Sequence, residues 1–238
     1  MVRAINPQNN EILVEIGPGT GILTDQLVSR CGHLYAIELD RDLAPKLAAL
    51  YPDDTFSVIQ GDVLGVDFGK LADNPEHNTK IRVVGNLPYN ISTPLIFHLL
   101  NHLSVISDMV FMVQKEVAKR LVAGPGDKLY GRLSVMVGAS LDCQYLFDVP
   151  PEAFDPPPAV DSAVIRMQPA QYPAEISDHN LFSTIVRTAF SLRRKTLRNS
   201  LRNLASPDDF NACGLDPALR AEALSVNDFA RLANTIVK

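Results

Sequence analysis

The chain has 238 residues, of which 46% are apolar, and its formal net charge is −5. This length and composition allow one sizeable core with room for a small appendage. The absence of a long apolar run and of a basic-then-apolar start argues against a membrane helix and a secretory signal, so we expect a cytoplasmic protein that does not bind membranes.

The first two-thirds of the chain alternate short β-branched apolar runs with helical patterns. This alternation is typical of a parallel sheet covered by helices, so we predict a doubly wound α/β fold. The predicted strands are Ile12–Ile16, His33–Ile37, Thr55–Ile59, Ile81–Val84 and Met109–Val113. The predicted helices are Thr20–Ser29, Asp42–Leu50, Thr93–His102 and Lys115–Val122.

The pattern changes after Tyr130, where three further strands are predicted without space for crossover helices: Leu133–Leu141, Gln144–Val149 and Ala159–Met167. Such strands pair antiparallel. A parallel sheet with an antiparallel edge hairpin is the usual form of Class I (Rossmann-like) methyltransferases. We therefore expect a catalytic domain over residues 1–170 and a small all-helical domain over residues 171–238.

A glycine-rich segment follows the first predicted strand, with Glu15, Gly17, Gly19 and Gly21 in the spacing GxGxG preceded by an acid. Glycines let the backbone turn sharply and approach a ligand closely. The dinucleotide fingerprint GxGxxG, which holds a pyrophosphate, has a different spacing. S-adenosylmethionine has no phosphate, so the segment favours that cofactor over a nicotinamide dinucleotide, although a tight turn alone would also use glycines.

Acidic residues end the next two predicted strands. Glu38 lies about twenty residues beyond the glycines, where a carboxylate can accept hydrogen bonds from both ribose hydroxyls. Asp62, followed by Val63, can accept from an adenine amino group between apolar neighbours. Either acid alone could be a helix cap, but the series at successive strand ends predicts a cofactor site.

Asn86, Leu87, Pro88 and Tyr89 follow the fourth predicted strand. An exocyclic adenine amine is a weak nucleophile because its lone pair is delocalised, so an enzyme must hold its hydrogens with acceptors. The Asn86 side-chain oxygen and a backbone carbonyl at Leu87 or Pro88 are suited to this, and Tyr89 can stack on an unstacked base. The alternative is a plain strand-to-helix turn.

The run Asn-Leu-Pro-Tyr-Asn-Ile-Ser resembles the motif of the KsgA-type small-subunit ribosomal RNA adenine N6,N6-dimethyltransferase family. Further segments similar to this family, in the same order, are Gln114-Lys-Glu-Val, Tyr130-Gly-Arg-Leu-Ser-Val, Phe154-Asp-Pro-Pro-Pro-Ala-Val-Asp-Ser-Ala-Val and Arg193-Arg-Lys-Thr-Leu-Arg-Asn-Ser. The resemblance thus covers nearly the whole chain.

The resemblance implies methyl transfer from S-adenosylmethionine to two adjacent adenosines of small-subunit ribosomal RNA in an immature 30S-type particle. It implies cofactor roles for Gly17, Glu38, Asp62 and Asn86, and a catalytic role for Asn86 through Tyr89. It also matches Phe154 to an aromatic residue that holds the target base from the other side. A core phenylalanine before a rigid proline run is the alternative.

Six basic residues and no acid lie between Arg187 and Arg202, in a chain that is acidic overall. A solvated helix face is one interpretation. In view of the resemblance, we expect this basic stretch to contact RNA phosphates, together with basic residues of the predicted helix Lys115–Val122. The proposed contact residues are Lys115, Lys119, Arg120, Arg193, Arg194, Lys195 and Arg198.

Members of the family usually begin with a basic lid segment, for which we find no counterpart before Val2, so lid contacts with the cofactor are unassigned. Two alternatives share the motifs: a large-subunit ribosomal RNA methyltransferase of the macrolide-resistance type, and a non-catalytic ribosome-assembly factor. The Tyr130-Gly-Arg and Arg-Arg-Lys-Thr segments favour the small-subunit branch. The intact Asn86, Pro88 and Tyr89 indicate that catalytic activity is retained, which does not exclude an additional role in assembly.

The three cysteines, Cys31, Cys143 and Cys213, are odd in number and lie far apart in the sequence. They form no CxxC or Cys/His pattern that could hold a metal. We therefore expect reduced thiols and no metal ion. A monomer is the simplest expectation for the oligomeric state.

Overall fold

The computed structural model of the protein describes residues 1–72, 80–192 and 194–236. Within them, one sheet contains seven strands. The strands are β1 (Ile12–Ile16), β2 (His33–Glu38), β3 (Phe56–Gln60), β4 (Ile81–Asn86), β5 (Ile106–Gln114), β6 (Leu141–Val149) and β7 (Ser162–Pro169).

The strand order across the sheet is β3-β2-β1-β4-β5-β7-β6. The pairs among β1 to β5 are parallel, whereas β7 runs antiparallel to β5. All five residues of β1 are buried, as expected for a strand covered on both faces. The predicted doubly wound sheet with an antiparallel edge is therefore confirmed.

The described chain also contains α-helices and short 3-10 helices. The α-helices are α1 (Val2–Ile5), α2 (Thr24–Leu27), α3 (Ala44–Ala48), α4 (Phe68–Ala72), α5 (Ser92–Leu99), α6 (Lys115–Val122), α7 (Arg132–Gly138), α8 (His179–Ser191), α9 (Leu197–Ser200), α10 (Pro207–Ala212) and α11 (Val226–Ile236). Short 3-10 helices cover Val63–Gly65, Leu100–His102, Pro151–Ala153 and Ala221–Ala223. None of the described helices is long and apolar enough to cross a bilayer.

The predicted strand Leu133–Leu141 is wrong, because residues Arg132–Gly138 form α7. The β-branched residues Val135 and Val137 suggested a strand, but both are buried on this short helix. The Ser134 hydroxyl accepts a hydrogen bond from the Gly131 amide at 3.2 Å and donates to the Arg120 carbonyl at 2.6 Å. Local capping and burial thus outweigh the weak strand preference of the sequence.

The described chain separates into two compact units. The sheet unit contains residues 1–118 and 143–169, and the helical unit contains residues 119–142 and the chain from residue 170 onward. This division differs from the expected one at residue 170, because 119–142 packs with the helices. The helical unit has its own apolar core, with Phe182, Phe210 and Phe229 among its buried side chains.

A buried ion pair joins β4 to β5 within the sheet unit. Arg82 and Asp108 are cross-strand partners, and the Arg82 guanidinium donates two hydrogen bonds to the Asp108 carboxylate at 2.6 and 2.9 Å. The same guanidinium donates to Glu11 at 2.7 Å and to the Ile5 carbonyl at 2.6 Å, at the end of α1. One side chain therefore attaches α1 and the loop before β1 to the centre of the sheet.

We expect Arg82→Met to lower the free energy of unfolding by about 3 kcal/mol, because it leaves the buried Asp108 carboxylate without its main partner. Urea titration of the two proteins measures this difference. Arg231→Met is the matched control, since Arg231 pairs with Asp228 at an exposed position and its loss should cost less than about 1 kcal/mol. Equal losses in the two variants would contradict the central role of Arg82.

Candidate functional site

The glycine-rich segment after β1 forms a sharp loop at the carboxyl edge of the sheet. Gly17, Gly19 and Gly21 have φ values of 63°, 58° and 89°, a backbone region that only glycine adopts readily. The Gly17 amide donates to the Ile37 carbonyl of β2 at 3.0 Å, which ties the loop to the sheet. No atom lies within 4 Å of the place where a Gly19 Cβ would point. The loop therefore leaves open space on that side.

The Glu38 carboxylate at the end of β2 is held by two backbone amides. One of its oxygens accepts from the Gly19 amide at 3.1 Å, and the other accepts from the Asp40 amide at 2.9 Å. Only 7% of the residue is exposed. Since each carboxylate oxygen has two lone pairs, each can still accept one hydrogen bond from a ligand. The glycine loop and the acid thus form one connected arrangement.

Glu15 lies beneath this loop and is almost completely buried, with 2% of the residue exposed. The Thr24 hydroxyl of α2 donates to its carboxyl group at 2.7 Å. Burial raises the pKa of Glu15 to about 7 because the charged form loses its hydration, and the Thr24 hydrogen bond opposes this shift only in part. Glu15 is therefore buried beneath the loop rather than presented at its open side.

Asp62 and Val63 follow β3, beside the end of β2. The Asp62 carboxylate caps the Val63–Gly65 turn by accepting from the Leu64 amide at 3.0 Å. The Gly61 amide donates to the Glu38 carbonyl at 2.9 Å, which brings the two strand ends together. The helix-cap alternative is thus realised for Asp62, while its remaining lone pairs can still accept from a ligand.

Exposed apolar side chains follow each of these polar segments, which is unusual for large hydrophobic residues. Ile22 is 79% exposed, Leu39 is 66% exposed and Leu64 is 37% exposed. None of the three belongs to a motif recognised in the sequence. Their only signal in the sequence was their position directly after a glycine or one or two residues after an acid, at three successive strand ends.

The catalytic candidates form a loop after β4. Asn86 ends the strand with an exposed side chain, whereas Leu87 is buried and its amide donates to the Met112 carbonyl of β5 at 3.0 Å. Pro88 is exposed and Tyr89 is half-buried. The Tyr89 hydroxyl forms a hydrogen bond of 2.9 Å with the Ser162 hydroxyl. The loop therefore presents Asn86 from an anchored backbone.

Gly85 allows the strand before this loop to lie close to β1. A Cβ on Gly85 would lie 2.6 Å from the Ile16 carbonyl oxygen, much closer than any normal contact. Gly17 faces the loop from the other side, since a Cβ there would lie 3.8 Å from the Pro88 ring. The glycine loop and the loop carrying Asn86 are consequently neighbours at the same edge.

Phe154 lies at the end of the Pro151–Ala153 turn, in the connection between β6 and β7. Its amide donates to the Pro151 carbonyl at 3.1 Å. The residue is half-buried. Phe154 is thus not one of the fully buried core residues.

Lys115, one of the predicted RNA-binding residues, is paired with two carboxylates. Its ammonium group donates to Asp148 at 2.7 Å and to Asp161 at 3.3 Å. These two acids lie at the two ends of the connection that carries Phe154. The contacts favour a role in holding that connection over a contact with RNA phosphate.

Five of the other basic candidates are exposed. Lys119 and Arg120 are exposed on α6, and Arg194, Lys195 and Arg198 are exposed near α9. Arg193 lies outside the described residues. In the part of the chain that the structure describes, no group of three or more His, Cys, Asp or Glu residues could hold a metal ion.

The sheet order, the glycine loop after β1 and the acid at the end of β2 define a Rossmann-like methyltransferase. Residues 1–238 match the sequence model of the family described as Ribosomal RNA adenine dimethylase. The chain belongs to this family, which confirms the resemblance found in the sequence.

Two relatives named Ribosomal RNA small subunit methyltransferase A illustrate the similarity. The protein of Thiobacillus denitrificans is 52% identical over 232 residues, covering 96% of this chain and 88% of the relative. That of Xanthomonas oryzae pv. oryzae is 53% identical over 237 residues, covering 98% of this chain and 88% of the relative. Sequence similarity of this extent reaches both units.

Two solved structures share the fold. A dimethyladenosine transferase from Plasmodium falciparum has a TM-score of 0.79 and 26% identity, covering 97% of this chain and 91% of that one. The 23S rRNA methyltransferase ErmE has a TM-score of 0.73 and 21% identity, covering 100% of this chain and 95% of that one. The second likeness concerns the fold alone.

The buried Glu15 carboxyl predicts a specific pH dependence of stability. Its pKa is about 7 in the folded protein and near 4.5 in the unfolded chain, so the folded state binds more protons between these values. The free energy of unfolding should therefore fall as the pH rises from 4.5 to 7. Glu15→Gln should remove this fall and gain, relative to the wild type, on the order of 3 kcal/mol above pH 7.

Urea titrations across this pH range measure the effect, with Glu152→Gln at an exposed position as the control. Parallel pH profiles for the wild type and Glu15→Gln would contradict the assignment.

Gly85→Ala should lower the free energy of unfolding by about 1–3 kcal/mol, because the added methyl group forces β4 away from the Ile16 carbonyl. Gly65→Ala is the control, since no atom lies within 4 Å of its Cβ position. Thermal unfolding of both variants measures the difference. A Gly85→Ala protein as stable as the control would show that the two strands can separate freely.

Proposed function

We propose that this chain transfers methyl groups from S-adenosylmethionine to the N6 amine of two adjacent adenosines in small-subunit ribosomal RNA, yielding dimethyladenosines. Its substrate would be that RNA in an immature 30S-type particle, encountered in the cytoplasm by the protein as a monomer. The observation that carries the proposal is the placement of Asn86 to Tyr89 beside the glycine loop, in a chain that belongs to the adenine dimethylase family.

The residues at the carboxyl edge fit S-adenosylmethionine. The Glu38 carboxylate, held by two backbone amides, retains lone pairs for two ribose hydroxyls, and Asp62 retains lone pairs for an adenine amino group. The segment Glu15–Gly21 carries no basic side chain, in keeping with a ligand that lacks phosphate. The open space at Gly19 leaves room for the methionine part, and the exposed Leu39 and Leu64 offer apolar surface to the adenine ring.

S-adenosylmethionine supplies an electrophilic methyl group on a sulfonium. The protein has to present the adenine amine to it in line. The Asn86 side-chain oxygen accepts a hydrogen bond from one N–H of the amine, and the Leu87 carbonyl accepts a hydrogen bond from the other. The Pro88 carbonyl already accepts from the Ile91 amide at 3.1 Å, which favours Leu87 over Pro88 for this purpose.

These acceptors hold the nitrogen lone pair toward the methyl group, which lowers the barrier through orientation. After transfer, the cationic amine releases its proton readily to water, so no strong base is required. Tyr89 and Phe154 would hold the base between two aromatic faces once it has left the RNA stack.

The helical unit would supply contacts with RNA phosphates through Arg194, Lys195 and Arg198, with Arg193 beside them in the sequence and Lys119 and Arg120 on α6. Five of these residues are exposed, and guanidinium groups bind phosphate through paired hydrogen bonds. Lys115 fits this set least well because two carboxylates already bind its ammonium group.

The test is transfer of tritiated methyl groups from S-adenosylmethionine to small ribosomal subunits that lack the modification, followed by digestion to nucleosides. The wild type should label dimethyladenosine, and Asn86→Ala should reduce the rate by at least about 100-fold, as loss of a positioned transition-state contact does. Asn101→Ala, an exposed asparagine in the Leu100–His102 turn, should retain the wild-type rate.

No label with the wild type would overturn the enzymatic proposal and leave a binding role in ribosome assembly. Label on large subunits in a parallel incubation, with none on small subunits, would favour the large-subunit alternative. Equal rates for Asn86→Ala and Asn101→Ala would remove Asn86 from the mechanism.

A further inference from the structure

We propose that Ser162 is a positioning residue for the methyl transfer, and that its hydroxyl holds the Tyr89 ring where the target base stacks. This inference rests on the function proposed above. Ser162 is the first residue of β7, and only 1% of it is exposed. Its hydroxyl oxygen lies 2.9 Å from the Tyr89 hydroxyl oxygen.

The hydrogen bond connects the loop after β4 to β7, a strand that does not pair with β4. Asn86 at the end of β4 is the partner of Met112 on β5, and Ser162 at the start of β7 is the partner of Gln114 on the same strand. The Tyr89 side chain thus reaches past the end of β5 to β7. The tip of the ring is thereby fixed to a strand whose preceding connection carries Phe154.

Tyr89 is held at its backbone as well. The Ser92 hydroxyl donates to the Tyr89 carbonyl at 3.2 Å, at the beginning of α5. The ring is half-buried, so packing alone leaves it partly free to turn about its side-chain bonds. With one hydrogen bond at the backbone and one at the ring tip, both ends of the residue are fixed.

Ser162 places a polar side chain at the start of an apolar run in β7. The next three residues, Ala163, Val164 and Ile165, are fully buried. A buried hydroxyl requires a hydrogen-bond partner, and Tyr89 provides it. The Tyr89 hydroxyl therefore satisfies a buried polar group that precedes three buried hydrophobic residues.

The expected consequence concerns rate rather than cofactor affinity. A ring that is no longer fixed holds the base less accurately, and small errors in the position of the reacting atoms slow transfer strongly. The rate of the second methyl transfer should fall more than that of the first, because the amine then carries a methyl group and must be positioned again. Glu38 and the glycine loop lie elsewhere at the edge and keep their contacts.

The experiment compares Ser162→Ala, Ser162→Thr, Tyr89→Phe and the double variant Ser162→Ala/Tyr89→Phe in the methyl-transfer assay on unmodified small subunits. We measure kcat, KM for the subunits and the ratio of monomethyladenosine to dimethyladenosine. Equilibrium dialysis with S-adenosylmethionine and thermal unfolding report cofactor affinity and folding separately from activity.

Ser162→Ala and Tyr89→Phe should each lower kcat by about tenfold and raise the monomethyl fraction, with cofactor affinity unchanged. The double variant should lose no more than the more affected single variant, because both remove the same hydrogen bond. Ser162→Thr keeps the hydroxyl on a residue that suits a strand, so it should stay within about twofold of the wild type.

The inference is overturned if Ser162→Ala has the wild-type rate and product ratio, or if it loses cofactor affinity and thermal stability in proportion to activity. A wild type without activity in the same assay would instead overturn the proposed function itself, and the inference with it.

Discussion

The site depends on one constraint, the burial of a parallel sheet on both faces. In such a sheet, polar groups can reach solvent only where the strands end, and parallel strands all end at the same edge. Glu38 and Asn86 occupy the last positions of β2 and β4, and the buried Glu15 occupies the second-last position of β1. The requirement for a continuous apolar interior thus gathers the polar side chains in one place, before any ligand is considered.

The antiparallel insertion of β7 adds a second direction of approach. Because β7 runs opposite to β5, its first residue rather than its last lies at this edge. The connection from β6, which carries Phe154, therefore reaches this edge. Asp148 and Asp161, at its two ends, both pair with Lys115. Residues that are far apart in the chain are brought beside the strand ends by the direction of a single strand.

The sheet was predictable because its strands are short, apolar and separated by helical patterns. Five predicted strands overlap β1 to β5, and the predicted order of parallel strands followed by an antiparallel edge is confirmed. The helix α7 was not predictable, because a short apolar run with Val135 and Val137 fits either a strand or a buried helix. This segment is helical because it packs among helices from distant parts of the chain.

Much of the site followed from spacing, since Gly17, Glu38 and Asn86 lie in local motifs at strand ends. The long-range side-chain hydrogen bonds of the site could not be predicted in this way, because they join residues that are far apart in the sequence. Ser162 lies 73 residues from Tyr89, and Lys115 lies 33 residues from Asp148. Only the folded register brings these groups together, so the sequence suggested a phosphate contact for a lysine that pairs with carboxylates.

The two backbone amides that hold the Glu38 carboxylate have a consequence for the thermodynamics of association. Folding has already restricted the rotation of this side chain and the shape of the loop at Gly19, so a ligand that binds there loses little additional conformational entropy of the protein. At a site ordered in advance, affinity depends mainly on the ligand's own contacts and desolvation. Recognition at this end of the sheet thus approaches that of a rigid receptor.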